Sequence, residues 1–388
     1  MKVLYFTNAP FSDLEISYVN ELEKLVDVKV LMLILPSTKK SGAISIENQP
    51  KELGVIPASE YPSMRKYTKM ININRWAIVN NPIGSNLRTS LLLAKDVAKV
   101  IKEYKPDIVH ITMYGLLQVW LSWQIDKNIK KVITIHDIAP HDNQSIIRYM
   151  YDRICRKLTL RIFNNIVLLS HPDDQLIKKH LNPQKQHVFF SKLGPYTYLK
   201  NYPLKPNQYG KYILFFGNIR PYKGVDILIK AYKESKCSSY NTKLVIAGKD
   251  IEGNILQDEN QSNIIIINRY IENDELATLI SYCLFVVLPY KSATQSGVTK
   301  SAIALDKPII CTNVGNLPNE VIDGRYGKIV KPNDVDALRQ GIDYMIDNPL
   351  KIKEFGKNIH SDFKTGKNSW KDITEDLVTN IYGKIIND

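Results

Sequence analysis

The sequence lacks long apolar runs. Its longest uninterrupted stretches, such as Val30 to Leu35 and Cys283 to Leu288, are strand length, far short of the roughly 20 residues that a spanning helix needs. No segment is expected to cross a bilayer. The opening run Met1-Lys2-Val3-Leu4-Tyr5-Phe6-Thr7-Asn8 has neither the apolar core nor the small-residue cleavage site of a secretory signal. That predicts a cytoplasmic protein, extending at most to the inner face of a membrane. Cysteine is scarce: Cys155, Cys237, Cys283 and Cys311 form no CxxC pair and have no histidine at ligand spacing. Zinc and redox motifs therefore have no support, and the thiols read as buried small hydrophobes. Short repeats and low-complexity tracts are also missing. With 44% hydrophobic and 23% charged residues among 388, what remains is an ordinary globular chain long enough for two domains.

Acidic residues are in deficit. Lys and Arg number 52 against 39 Asp and Glu, a formal net charge of +13, which suits nucleic acid, an anionic membrane face or a phosphorylated ligand, and equally a solvated basic face. Much of the basic charge lies in the first half, including Arg65, Lys66, Lys69, Arg75, Arg148, Arg153, Arg156, Lys157 and Arg161. Between residues 37 and 86 the cations mix with Ile44, Ile46, Tyr61, Met64, Tyr67, Met70, Ile71, Ile73 and Trp76, a pattern expected of a segment resting on an anionic membrane surface. Nucleic acid would account for the charge but not for the ordered ligand loops described below, so no nucleic-acid partner is expected.

Strand-like and helix-like segments alternate along the chain, the pattern of parallel sheets covered by helices. The first half reads as strand 2–7, helix 14–25, strand 28–35, a long irregular excursion over 37–86, helix 87–104, strand 107–111, helix 116–126, strand 131–136 and strand 164–169. Proline and turn residues between 194 and 210 stop regular structure, which places a linker at 196–210 between domains 1–195 and 211–369. Alternation then resumes with strands 212–216, 243–247, 264–267, 284–288, 308–311 and 327–330 and helices 225–232, 273–281, 297–304 and 335–346. The expected class is α/β with two Rossmann-like halves. Asn333-Asp334-Val335-Asp336 opens the last of these helices, where carboxylates cap the N-terminus and are not expected to bind metal.

Two loops carry candidate chemistry. In Phe216-Gly217-Asn218-Ile219-Arg220-Pro221-Tyr222-Lys223-Gly224 a strand runs into a glycine turn and sets Arg220 and Lys223 at a helix mouth, where cations and helix N–H groups can hold a diphosphate. In Pro289-Tyr290-Lys291-Ser292-Ala293-Thr294-Gln295-Ser296-Gly297-Val298-Thr299 a strand again enters a polar loop that opens a helix. Both loops lie at the carboxyl ends of strands, where ligands bind in open α/β sheets.

These segments, with Pro106-Asp107-Ile108-Val109-His110, Thr134-Ile135-His136-Asp137, Ile246-Ala247-Gly248 and the run from Lys307-Pro308-Ile309 to Asn319-Glu320-Val321-Ile322, make the chain resemble the retaining glycosyltransferases of the GT-B fold, in particular family 4. The resemblance implies two Rossmann-like domains facing across a donor cleft and a C-terminal segment, here 370–388, that returns to the first domain. Its helical stripe is Trp370, Ile373, Leu377, Ile381 and Ile385. It also implies transfer of a hexosyl-type residue from a UDP- or GDP-sugar to a glycan, including a lipid-linked one, in surface polysaccharide synthesis, with retention and without a metal or other cofactor.

Residue by residue, the resemblance assigns Arg220 and Lys223 to the donor diphosphate, with Gly217 at the turn beside them. The backbone N–H groups of Gly297, Val298 and Thr299 take the distal phosphate, His136 the donor sugar, and the main chain of Arg269-Tyr270-Ile271 the base. The family's two glutamates, with seven residues between them, are replaced by Ala293 and Ser301. Ser301 is then the candidate for the ribose, and Gln295 and Ser296 for the sugar. The glycine-rich first loop of many relatives is also absent, leaving Asn8 and Ser12 as polar candidates toward an acceptor. The lost carboxylates permit an alternative: a catalytically silent protein of the same fold that binds a glycan or a partner transferase.

Overall fold

The computed structural model describes residues 1–39, 42–136, 146–169, 174–182, 184–253, 263–293 and 296–387. Asp137, Thr294 and Gln295 lie outside them. The chain divides into two compact units, one comprising Met1–Gly194 with the chain from Trp370 onward, the other Pro195–Ser369.

The first unit is built on eight strands: β1 (Lys2–Asn8), β2 (Asp27–Ile34), β3 (Gly54–Pro57), β4 (Trp76–Asn80), β5 (Ile108–Ile111), β6 (Lys130–Ile135), β7 (Asn165–Leu168) and β8 (His187–Phe190). Their order in the sheet is β3-β4-β2-β1-β5-β6-β7-β8, all parallel except the β3–β4 pair. Helices on both faces bury these strands, which is why β1 and β2 read as near-continuous apolar runs. Leu4, Phe6, Leu31, Val109, Ile111 and Ile133 form one packed cluster under the Leu87–Tyr104 helix.

The 37–86 excursion differs from expectation. It supplies β3 and β4, and Ile44, Ile46, Tyr61, Met64, Tyr67, Met70, Ile71 and Trp76 are all buried. These eight complete the core at the sheet edge, so they are not a lipid-facing surface, while Ile73 is half-buried; the period is obscured because 3-10 turns at Pro62–Tyr67 and Ile73–Arg75 interrupt it.

The second unit holds β9 (Tyr212–Phe216), β10 (Lys243–Ala247), β11 (Ile264–Ile267), β12 (Val286–Leu288), β13 (Ile309–Thr312) and β14 (Gly327–Val330), all parallel in the order β11-β10-β9-β12-β13-β14. The strand order reverses between β9 and β12, and the two loops singled out in the sequence leave the sheet there.

Residues 196–210 are not a free connector. The Thr197–Asn201 turn is packed into the second unit, the Lys205 N–H donates to Thr278, and the Lys205 ammonium pairs with Asp274 at 2.7 Å. The Pro349–Lys364 helix escaped the sequence reading because its buried stripe is reduced to Phe355 and Ile359. Asp334 caps the Val335–Asp347 helix by accepting from the Ala337 N–H, as expected. The C-terminal helical segments bury Trp370, Ile373, Leu377, Ile381 and Ile385 in the first unit.

Candidate functional site

The second-unit site begins where β9 ends. Gly217 has φ of +106°, a conformation that glycine adopts without steric cost, and it turns the chain toward Arg220. Pro221 starts a 3-10 turn through Lys223, and Gly224 follows at φ +65°. A side chain on Gly224 would place its first carbon 2.1 Å from the Pro289 carbonyl oxygen. Only glycine lets the loop after β9 lie this close to the loop after β12, and the Lys291 N–H donates to the Tyr222 carbonyl across the same seam.

Lys223 is thereby folded inward. Its ammonium lies 5.1 Å from the centre of the Tyr290 ring and 3.3 Å from where a side chain on Gly217 would begin, while a Val298 methyl comes within 3.4 Å of the same point. The glycine turn, the lysine and the start of the Gly297–Ala304 helix therefore share one space. Burial, and then the neighbouring Arg220 guanidinium, push the Lys223 ammonium down to about 8. Arg220 is exposed, and among the described residues neither cation has a carboxylate partner. An anion in this space would relieve the mutual repulsion of both.

The helix start is only partly as expected. Gly297 and Val298 sit in the first turn, whose N–H groups have no partner inside the helix. Thr299 is committed internally: its N–H donates to the Ser296 carbonyl, and its buried hydroxyl contacts the Ser296 carbonyl and the Glu320 carboxylate. Ser301 is buried and donates back to the Gly297 carbonyl at 3.0 Å, which leaves its hydroxyl oxygen free to act only as an acceptor. Ser296 is buried in extended conformation ahead of the helix.

Arg269 and Tyr270 follow β11 at the sheet edge, two strands from β9. The Arg269 guanidinium is held in two hydrogen bonds by Glu275, at 2.7 and 2.8 Å; the base contact expected here is a main-chain one. Tyr270 is 67% exposed.

Asn8 and His136 belong to the first unit. Asn8 ends β1, beside the strand-order reversal between β1 and β5, and His136 follows β6. Phe11, from the turn after β1, stacks on the His136 ring at 3.9 Å. Burial pushes His136 down to about 4, so the imidazole is neutral near pH 7. Its Nε2 and the Asn8 Oδ1 are buried without hydrogen-bond partners among the described residues, the condition of polar atoms that await a ligand or water.

Sequence reasoning missed Glu15. It is fully buried, lines a small cavity with Tyr5, Tyr18, Thr134, His136 and Trp370, and is pushed up to about 7 by its desolvation. His110 on β5 was quoted only as part of a motif; its two ring nitrogens bond Tyr382 and Thr134. The available signal was the stripe Glu15, Tyr18, Val19, Leu22, whose helical spacing carries an acid onto the core face.

Two Rossmann-like parallel sheets, each with polar candidates at its switch point, define a protein of the GT-B class. The chain belongs to the group 1 and family 4 glycosyltransferases: residues 200–362 match the family described as Glycosyl transferases group 1, and residues 50–189 match Glycosyltransferase Family 4. An uncharacterized glycosyltransferase of Methanocaldococcus jannaschii is 37% identical over 148 residues, 37% of this chain and 41% of that protein. A GDP-mannose:glycolipid 4-beta-D-mannosyltransferase of Xanthomonas campestris is 26% identical over 190 residues, 46% of this chain and 49% of that protein. These matches thus span less than half of either relative. Among solved structures, Anabaena HepE in complex with UDP aligns with a TM-score of 0.64 at 13% identity, over 99% of this chain and all of that one.

Proposed function

We propose that this glycosyltransferase moves a hexosyl residue from a UDP- or GDP-sugar to a glycan acceptor carried on a lipid, with retention and without a divalent metal. The observation that carries the reading is the convergence of Lys223, Gly217 and Val298 beside Arg220 at the β9–β12 switch point. The mannosyltransferase relative, named for a GDP-mannose donor and a glycolipid acceptor, and the UDP-bound fold neighbour support that donor and acceptor class.

In this mechanism the bond between the anomeric carbon and the diphosphate oxygen breaks as the acceptor oxygen bonds to the same face of the sugar. The acceptor proton passes to a phosphate oxygen of the leaving group. Arg220, Lys223 and the N–H groups of Gly297 and Val298 hold the charge that develops on the departing diphosphate. In the first unit, neutral His136 Nε2 and Asn8 Oδ1 are polar groups able to contact sugar hydroxyls. For the anionic membrane surface, support comes from the Ile146–Thr159 helix, where Met150 and Ile154 are exposed alongside Arg153 and Lys157, a mixed apolar and basic face suited to acidic lipids.

The test is incubation of the pure protein with a panel of UDP- and GDP-sugars, with and without membrane-lipid extract, following nucleotide release and label transfer. Extract-dependent release from one donor is expected, with a retained anomeric configuration in the product and no loss of rate in EDTA. An inverted product or strict magnesium dependence would overturn the mechanism. Nucleotide binding with no turnover in any extract would favour the silent binding protein. Flotation with anionic vesicles checks the membrane contact, and a protein that stays in the soluble fraction at low salt would exclude it.

A further inference from the structure

The Gly297–Ala304 helix carries a buried lysine at a place where an apolar residue would pack. Lys300 lies in its first half, almost wholly out of solvent, and its ammonium is 3.5 Å from the equally buried Glu320 carboxylate. Glu320 ends the short Leu317–Glu320 helix that follows β13 and also accepts from the Thr299 hydroxyl. The Thr299 N–H in turn donates to the Ser296 carbonyl. The carboxylate is therefore only two hydrogen-bond contacts from the residue that caps the helix start. The same β13 loop presses on the neighbouring segment at a second point: Gly315, at φ +52°, comes so close to the Ala293 carbonyl that a side chain there would overlap it.

A carboxylate in this position creates an electrostatic problem. Gly297 and Val298 open the space read above as the diphosphate site, and a buried negative charge behind their turn would oppose an anion in front of it. Its influence reaches the ring beneath Lys223, since Glu320 adds to the burial that holds the Tyr290 hydroxyl above its usual range. Lys300 supplies the opposite charge in the same low-dielectric environment. A buried pair of this kind adds little net stability compared with an apolar replacement, so its value lies in what it lets the carboxylate do.

We propose that Glu320 is a positioning residue that fixes the first turn of the anion-binding helix through Thr299, and that Lys300 cancels its charge so that the adjacent space still accepts a diphosphate. The inference rests on the donor-site reading above and deepens it. Neither residue touches the ligand; both act through the Gly297–Val298 turn.

The experiment measures binding of UDP, GDP and the uncharged nucleoside uridine by calorimetry, at low and at physiological salt, to the wild type and to Lys300→Met, Glu320→Gln and the double variant. Lys300→Met is expected to weaken the nucleotide that the wild type binds by at least tenfold. Glu320→Gln, whose amide oxygen still accepts from the Thr299 hydroxyl and so keeps the turn in place while the lysine charge goes uncompensated, is expected to leave that affinity level or raise it. The double variant, neutral at both positions, is expected to bind within about threefold of wild type and stays informative if Lys300→Met does not fold. Where uridine binding is measurable it is expected to be unchanged throughout.

Equal weakening by both single variants, or a double variant that loses more than tenfold, would overturn the charge-cancelling role. A wild type that binds neither UDP nor GDP would overturn the donor-site reading itself and the inference with it, whereas tight wild-type binding with charge-independent variants would overturn the inference alone.

Discussion

At the scale of single residues, the site depends on groups whose protonation the fold has moved. Lys223 is held down to about 8 by burial and by Arg220, and a bound diphosphate favours its charged form. Nucleotide affinity is therefore expected to be level up to about pH 8 and to fall above it by up to about tenfold per pH unit. Titration calorimetry between pH 7 and 10 checks this, and Lys223→Met should bind weakly with no such slope. Arg220→Ala is expected to cost about 100-fold or more in turnover, as for loss of one group stabilising a developing anion.

Glu15 makes a prediction of opposite character. Its carboxyl is raised from 4.5 to about 7, so between these values the folded protein holds a proton that the unfolded chain releases. Stability from this group is full below about pH 4.5 and is lost as pH rises through 7. Glu15→Gln removes that loss, and denaturant melts at pH 5 and pH 8 should show the variant gaining about 3 kcal/mol on wild type between them. The buried acid was legible as a helix position but not as an ionisable group out of water, because burial on that face is set by Tyr5, Tyr18 and Trp370 from three separate segments.

At the scale of elements, glycine positions separate loop-to-loop contact from mere backbone freedom. Gly224 and Gly253 both have left-handed backbone, at φ +65° and +73°. A side chain on Gly224 would collide with the Pro289 carbonyl, whereas one on Gly253 would meet nothing within 4 Å among the described residues. Gly253→Ala is expected to cost about 1 kcal/mol from backbone strain alone and to leave nucleotide affinity unchanged. Gly224→Ala should cost more and weaken the nucleotide at least tenfold, because the loop carrying Lys223 must move. Thermal melts and binding on the two variants test the contrast. The Phe216–Gly224 segment was readable because its glycines, proline and cations specify local geometry. The donation of Ser301 to the Gly297 carbonyl and the pairing of Arg269 with Glu275 were not readable, because composition does not reveal such contacts.

At the scale of the whole molecule, the C-terminal segment is part of the first unit's core. Trp370 packs against Gly194 so closely that a side chain there would lie 2.5 Å from the indole, and its ring meets Tyr18 at 5.8 Å. Tyr382, from a π-helical turn at Leu377–Tyr382, bonds the fully buried His110. Trp370→Ala is expected to cost about 3–5 kcal/mol. Hydrogen exchange should show the loss in β1, β5 and β6, while β9 to β13 keep their protection. Equal loss in both sheets would contradict this division of the chain.

Alternating apolar strands and amphipathic helices determined the α/β class, most strand positions and both candidate loops, because each follows from side-chain periodicity and turn chemistry within a few residues. Tertiary structure alone decided that the 37–86 residues complete a sheet edge, that 196–210 pack into the second unit, and that Glu320 reaches the Thr299 turn. These outcomes depend on which surfaces meet across long stretches of chain. Burial of Ile44 or Tyr61, and pairing of Lys300 with Glu320, are set by neighbours that local sequence does not name.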